Sequence, residues 1–108
     1  MPAFLLLAFA ILSEVGATLA LRVSDGFSRP MPSAIVVVGY GISFWLLALA
    51  LKDIPVSLTY AIWSGVGTAL IAIAGVVAFG ETMNLMKLAS LGIIVLGVAG
   101  LSAAGGAH

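Results

Sequence analysis

Apolar residues run along this chain in four long stretches separated by three short polar gaps. The stretches cover about 3–21, 33–51, 55–79 and 85–104. Each is close to or above the roughly 20 helical residues needed to cross a hydrocarbon core of about 30 Å. Polar and apolar positions do not alternate, so strands are the poorer reading. In lipid the backbone must satisfy its own hydrogen bonds, and the four stretches are therefore predicted to be helices. The gaps carry the punctuation such helices need. Ser24-Asp25-Gly26 and Arg29-Pro30-Met31-Pro32 end helix 1 and start helix 2. Lys52-Asp53-Ile54-Pro55 forms the next turn, with Pro55 in the first turn of helix 3. Gly80-Glu81-Thr82 with Asn84 separates helices 3 and 4. No stretch is left for a soluble domain. The expected fold class is an all-α integral membrane protein, with residues 1–108 a single four-helix transmembrane domain.

Composition sharpens this. Hydrophobic residues make up 63% of the chain and charged residues 7%, against about 25% charged in a soluble domain. Four basic and four acidic side chains cancel to a net charge of zero. No basic cluster could neutralise a row of phosphates, so nucleic acid is not an expected partner. The absence of cysteine removes disulfides, thiol catalysis and cysteine metal ligands together. The one histidine, His108, ends the chain and is read as a solvated tail. No metal site, cofactor or enzymatic activity is expected. The first run invites confusion with a signal peptide, with Thr18-Leu19-Ala20 as a loose cleavage site. No Lys or Arg precedes it and Glu14 would interrupt its apolar core, so it is expected to be a retained helix. Arg22, Arg29 and Lys87 lie on one side of the predicted topology and Lys52 on the other. The positive-inside rule then favours an outside N-terminus by a margin small enough to permit insertion both ways.

Seven of the eight charges fall in or beside the gaps. The eighth, Glu14, stands near mid-depth in helix 1. A charge at a helix centre costs about 2.5–3.5 kcal/mol to insert, so it ordinarily faces a cavity or a partner and marks function. A carboxylate so placed is suited to bind and release protons. Its neighbours at helical spacing, Ala10, Ile11, Ala17 and Thr18, are mostly small and leave room for a ligand or another helix. The competing reading makes Glu14 an assembly residue hydrogen-bonded between helices. It is weakened by the lack of any Lys, Arg or His deep in the runs to pair with it.

Around this carboxylate the chain offers aromatic and hydroxyl residues. Tyr40, Ser43, Phe44 and Leu47 share a face of helix 2, and Tyr60, Trp63, Ser64 and Gly67 share a face of helix 3. Tyr and Trp beside a carboxylate suit a lipophilic cation, through charge pairing and cation–π attraction, and a Tyr hydroxyl can hydrogen-bond Glu14. Ordinary packing or an interfacial aromatic belt is the alternative for these residues. Gly65-Val66-Gly67 interrupts helix 3 and permits a kink or hinge at Gly65 and Gly67, with close packing the alternative. Helix 4 repeats small residues at Ser90, Gly97 and Ala104, near Gly92 and Gly100, and is read as a dimerisation element. Four helices of minimal length barely enclose a cavity. A homodimer would bring two Glu14 side chains to one shared site, where mutual repulsion favours either protons or a single cation. Opposite insertion of the two copies would supply the inverted symmetry of alternating-access transporters.

The order of these residues resembles the small multidrug resistance family of proton-coupled exporters over nearly the whole chain. The matching segments are Ser13-Glu14-Val15 with Thr18, Asp25-Gly26-Phe27-Ser28-Arg29, Pro32-Ser33, Ser43-Phe44-Trp45-Leu46-Leu47, Ile54-Pro55 and Tyr60 through Gly67. The resemblance implies an antiparallel, dual-topology homodimer, multi-pass in the inner (plasma) membrane, that exchanges protons for a cationic substrate. It implies that Glu14 is the shared proton and substrate site, that Tyr60 and Trp63 are aromatic substrate residues, and that Tyr40 and Ser43 support them. It also implies a dimer interface on helix 4, centred on Gly97. Guanidinium exporters of the family carry a Trp shortly after the helix 1 glutamate. Here Gly16-Ala17-Thr18 is closer to the quaternary-ammonium branch. Thr59 is larger and more polar than the Ala expected before Tyr60, and its hydroxyl could hydrogen-bond within the site. The leading expectation is a proton-coupled exporter of lipophilic cations. Its alternatives are a guanidinium exporter of the same fold, a dual-topology ion channel, and a subunit working only as a heterodimer.

Overall fold

The computed structural model describes residues 2–106 and is all-helical over them. Met1, Ala107 and His108, the last expected as a solvated tail, lie outside the described residues. Helix α1 spans Ala3–Val23, α2 Pro30–Ala50, α3 Val56–Phe79 and α4 Leu85–Leu101, followed by a π-helical turn, Ser102–Gly106. All four are long and apolar enough to cross a membrane, the fourth as Leu85–Ala104. The chain divides into two compact units, the α1–α2 hairpin up to Asp53 and the α3–α4 hairpin from Ile54.

Helix α2 begins three residues earlier than the expected start at 33. Pro30 occupies its first position, where the missing N–H would have had no partner in the helix and the fixed φ suits helical backbone. Pro30 and Pro32, expected in the segment that starts helix 2, both lie within its first turn. Pro55 stands just outside α3, as its N-cap, instead of within the first turn, and its carbonyl accepts the Thr59 N–H. At α4, the Asn84 side chain accepts from the Lys87 N–H at 2.8 Å and satisfies one of the free donors of the first turn.

In the first unit α1 and α2 pack through small residues. Ala10 and Ala17 of α1 and Ser43 and Ala50 of α2 are buried, which lets the two backbones approach as membrane helices commonly do. The α1–α2 connection is strapped to a fully buried Ser24, whose hydroxyl donates to the Leu21 carbonyl at 2.7 Å and accepts the Phe27 N–H at 3.1 Å. Asp25, Gly26 and Phe27 take left-handed backbone in succession, with φ of 52°, 69° and 67°. The second unit turns at Gly80, left-handed at φ 66°. There the Gly75 carbonyl accepts the N–H groups of both Gly80 and Glu81. The Glu81 carboxylate folds back over Gly75, filling the space a side chain would take. With Ala72, Val76, Thr82, Met83, Lys87 and Leu91 it lines a cleft of about 200 Å³.

Candidate functional site

Glu14 is the twelfth of the 21 residues of α1, about 16 Å from the helix start at 1.5 Å per residue. Four residues on, Thr18 lies on the same face, and its hydroxyl donates to Glu14 Oε1 at 2.9 Å. The same Thr18 oxygen is 2.7 Å from the Tyr40 hydroxyl on α2. A hydroxyl has one proton. With the Thr18 proton committed to the carboxylate, Tyr40 must donate to Thr18. Both O–H groups then point toward Glu14, and hydrogen bonds aligned in this way polarise one another. All three residues are half-buried.

Two side-chain ties hold the helices that carry this chain. Ser13 Oγ donates to the Gly39 carbonyl at 2.8 Å, and Ser43 Oγ donates to the Ala10 carbonyl at 2.8 Å. One turn beyond Ser13, Ala17 also lies against Gly39, where an added Cβ would stand 2.8 Å from the Ala17 Cβ. Ser13 and Gly39 are not among the site residues expected from the sequence, although they adjoin Glu14 and Tyr40. The available signal was a small or hydroxyl residue deep in an apolar run, a mark of helix contact.

The face expected to unite Tyr40, Ser43 and Phe44 is divided. Tyr40 turns to Thr18 and Ser43 is buried against the Ala10 carbonyl, while Phe44 is 60% exposed. Consecutive helical residues lie about 100° apart around the axis, which separates Phe44 from its neighbour. Ser43 is thus a tie between backbones in this hairpin. In the second unit, Tyr60 is 74% exposed and Trp63 half-buried. Thr59, whose hydroxyl could hydrogen-bond within a site, is buried, and the hydroxyl donates to the Pro55 carbonyl at 2.9 Å, next to its own helix. The Gly65-Val66-Gly67 segment does not interrupt α3, which is helical without a break from Val56 to Phe79. Gly65 meets α4 there: a Cβ on it would stand 2.6 Å from Val98 Cγ2. Gly67 is also buried. Ser90, Gly97 and Ala104 are exposed, and α4 buries none of its described residues.

Comparison with known proteins places this geometry. The Small Multidrug Resistance protein family matches residues 2–94. The chain is 48% identical over 95 residues to the multidrug resistance protein EbrA of Bacillus licheniformis, covering 88% of this chain and 90% of that one. It is 44% identical over 102 residues to the quaternary ammonium compound-resistance protein QacF of Klebsiella aerogenes, covering 94% and 93%. It is likewise 44% identical over 98 residues to QacE of Escherichia coli, a protein of the same description, covering 91% and 89%. With its four membrane-length helices and matches of this extent, the chain belongs to the Small Multidrug Resistance family, whose members are multi-pass membrane transporters and not enzymes.

Proposed function

We propose that this protein is a proton-coupled antiporter that exports lipophilic and quaternary ammonium cations by alternating access, working as an antiparallel homodimer in the inner (plasma) membrane. The observation that carries the reading is the mid-helix Glu14 carboxylate, which accepts from the Thr18 hydroxyl, itself bonded to the Tyr40 hydroxyl. An ionised Glu14 accepts the Thr18 hydrogen bond and keeps further lone pairs for a cation. A protonated Glu14 has no charge to offer, so proton and cation compete for one group. That competition is the coupling: each copy binds a cation on one side of the membrane and exchanges it for a proton on the other.

The relatives described as quaternary ammonium compound-resistance proteins support the substrate class. Tyr60 and Trp63 supply aromatic faces for cation–π contact. Gly65 and Gly67 are the proposed hinge. The dimer interface is assigned to Ser90, Gly97 and Ala104, small residues on a helix whose described residues are not buried in the chain itself. The small bias in loop charge permits both orientations of insertion, and the inverted pair is the architecture that alternating access uses.

In proteoliposomes, tetraphenylphosphonium should accumulate against an imposed proton gradient, and its binding should weaken as the pH is lowered. Glu14→Gln should abolish both behaviours. Undiminished accumulation by Glu14→Gln would sink the assignment.

A further inference from the structure

Resting on the antiport reading above, we propose that the Ala17–Gly39 contact is a spacer whose combined size sets the Thr18–Tyr40 hydroxyl pair and, through it, orients the Glu14 carboxylate. Ala17 and Gly39 are positioning residues in this scheme. Each immediately precedes a member of the hydroxyl pair, so the helix separation fixed at 17 and 39 is passed to 18 and 40. Ala17 is 1% exposed. A Cβ on Gly39 would stand 2.8 Å from the Ala17 Cβ and 3.5 Å from the Ala17 Cα and the Ser13 carbonyl oxygen.

The magnitudes decide what such a methyl would do. Apolar carbons settle at about 3.5–4.0 Å, so a methyl on Gly39 forces the backbones apart by about 1 Å. The methyl of Ala17 has no rotamer by which to withdraw. The hydroxyls of Thr18 and Tyr40 now lie 2.7 Å apart. Widening would carry them to about 3.7 Å, beyond hydrogen-bonding range. The Ser43–Ala10 tie holds the helices on the far side of the contact and resists a compensating slide. By contrast, the Thr18–Glu14 bond lies within α1 and is insensitive to helix separation. The Ser13–Gly39 bond also crosses the gap but ends on a backbone carbonyl, so the spacer reaches the carboxylate through Tyr40, and a variant without the Tyr40 hydroxyl should lose that effect.

The test compares tetraphenylphosphonium affinity in proteoliposomes for the native chain, Gly39→Ala, and the size swap Ala17→Gly/Gly39→Ala, each also in a Tyr40→Phe background. Gly39→Ala should weaken binding about fivefold, as expected for one ordinary hydrogen bond. The swap should return to within about twofold of the native value. In the Tyr40→Phe background, Gly39→Ala should cause no further loss. A full further loss there, or a swap that does not recover, overturns the spacer. Should Gly39→Ala fail to fold alone, the swap must still fold, and a swap that also fails overturns it. A second readout needs no transport. Tyr40 and Tyr60 are the 2 tyrosines of the chain, so in Tyr60→Phe the phenolic carbon resonance of labelled Tyr40 reports its hydrogen bond. It should move in Gly39→Ala and return in the swap, and an unmoved resonance overturns the proposal. Absence of tetraphenylphosphonium binding by the native chain would overturn the transport reading instead, leaving the Tyr40 resonance to decide the spacer.

Discussion

Tyr40 reaches Glu14 through a third residue: its hydroxyl lies 2.7 Å from Thr18 Oγ1, which in turn donates to the carboxylate at 2.9 Å. Thr18 is therefore the link nearest the charge, and removing it should cost more than removing Tyr40's hydroxyl. Thr18→Val keeps the shape and loses the donor, and about a tenfold to hundredfold loss of cation affinity is expected, in keeping with a hydrogen bond to a charged group. Thr18→Ser should stay close to native and Tyr40→Phe should fall between them. Affinities in the reverse order would contradict the direction of the chain.

Ser43 is fully buried and its hydroxyl has one assigned partner, the Ala10 carbonyl. That carbonyl also has its in-helix position, so Ser43→Ala removes one bond and leaves little unsatisfied. A loss of about 0.5–1.5 kcal/mol is expected, read as an earlier midpoint in denaturing-detergent unfolding. Unchanged stability would mean that the tie contributes nothing.

Gly65 leaves no room for a side chain beside Val98. Gly65→Ala should destabilise the α3–α4 hairpin by about 1–3 kcal/mol through overpacking. Val98→Ala, which removes the methyl that a Cβ would strike, should recover much of that in the double variant. Thermal melts in detergent of the two single variants and the double variant would show it; purely additive losses would remove Val98 from the explanation.

Ser24 both donates and accepts at the α1–α2 turn while fully buried. Ser24→Ala would orphan the Phe27 N–H, and a cost of about 1–3 kcal/mol is expected. Amide exchange at Phe27 should accelerate in the same variant, whereas unaltered protection would show that another group holds this turn.

The membrane-length helices were legible because the runs and their breakers are unambiguous, as at Gly80 and Asn84. The Arg29-Pro30-Met31-Pro32 segment marks the start of α2, but not its first residue: a proline lacks an N–H, which suits the first helical position as well as the residue before it. Glu14 and Thr18 share a face by spacing and could be paired from sequence. The Tyr40 partnership with Thr18 could not, because Tyr40 and Ser43 share a face of α2 with Phe44 and Leu47, and that face does not show which side meets α1. That choice is made by Gly39 and Ser43, where small size and a buried hydroxyl act together. Thr59 illustrates the same limit: in a helix its hydroxyl can turn to the carbonyl four residues back, and nothing in the sequence distinguishes that from reaching a ligand.

The strapped turn at Ser24 bears on biosynthesis as well. A connection held by its own hydrogen bonds and left-handed residues brings α1 and α2 together as soon as both have been made. Entering lipid as a ready-formed hairpin, α1 would present Glu14 to the hydrocarbon already accompanied by Thr18 and Tyr40. A lone α1 would face the full insertion penalty of about 2.5–3.5 kcal/mol with only Thr18 beside the carboxylate. On this account the short connection favours delivery of the acidic helix to the membrane together with its partner, and lengthening the turn with a flexible insert should lower the yield of inserted protein.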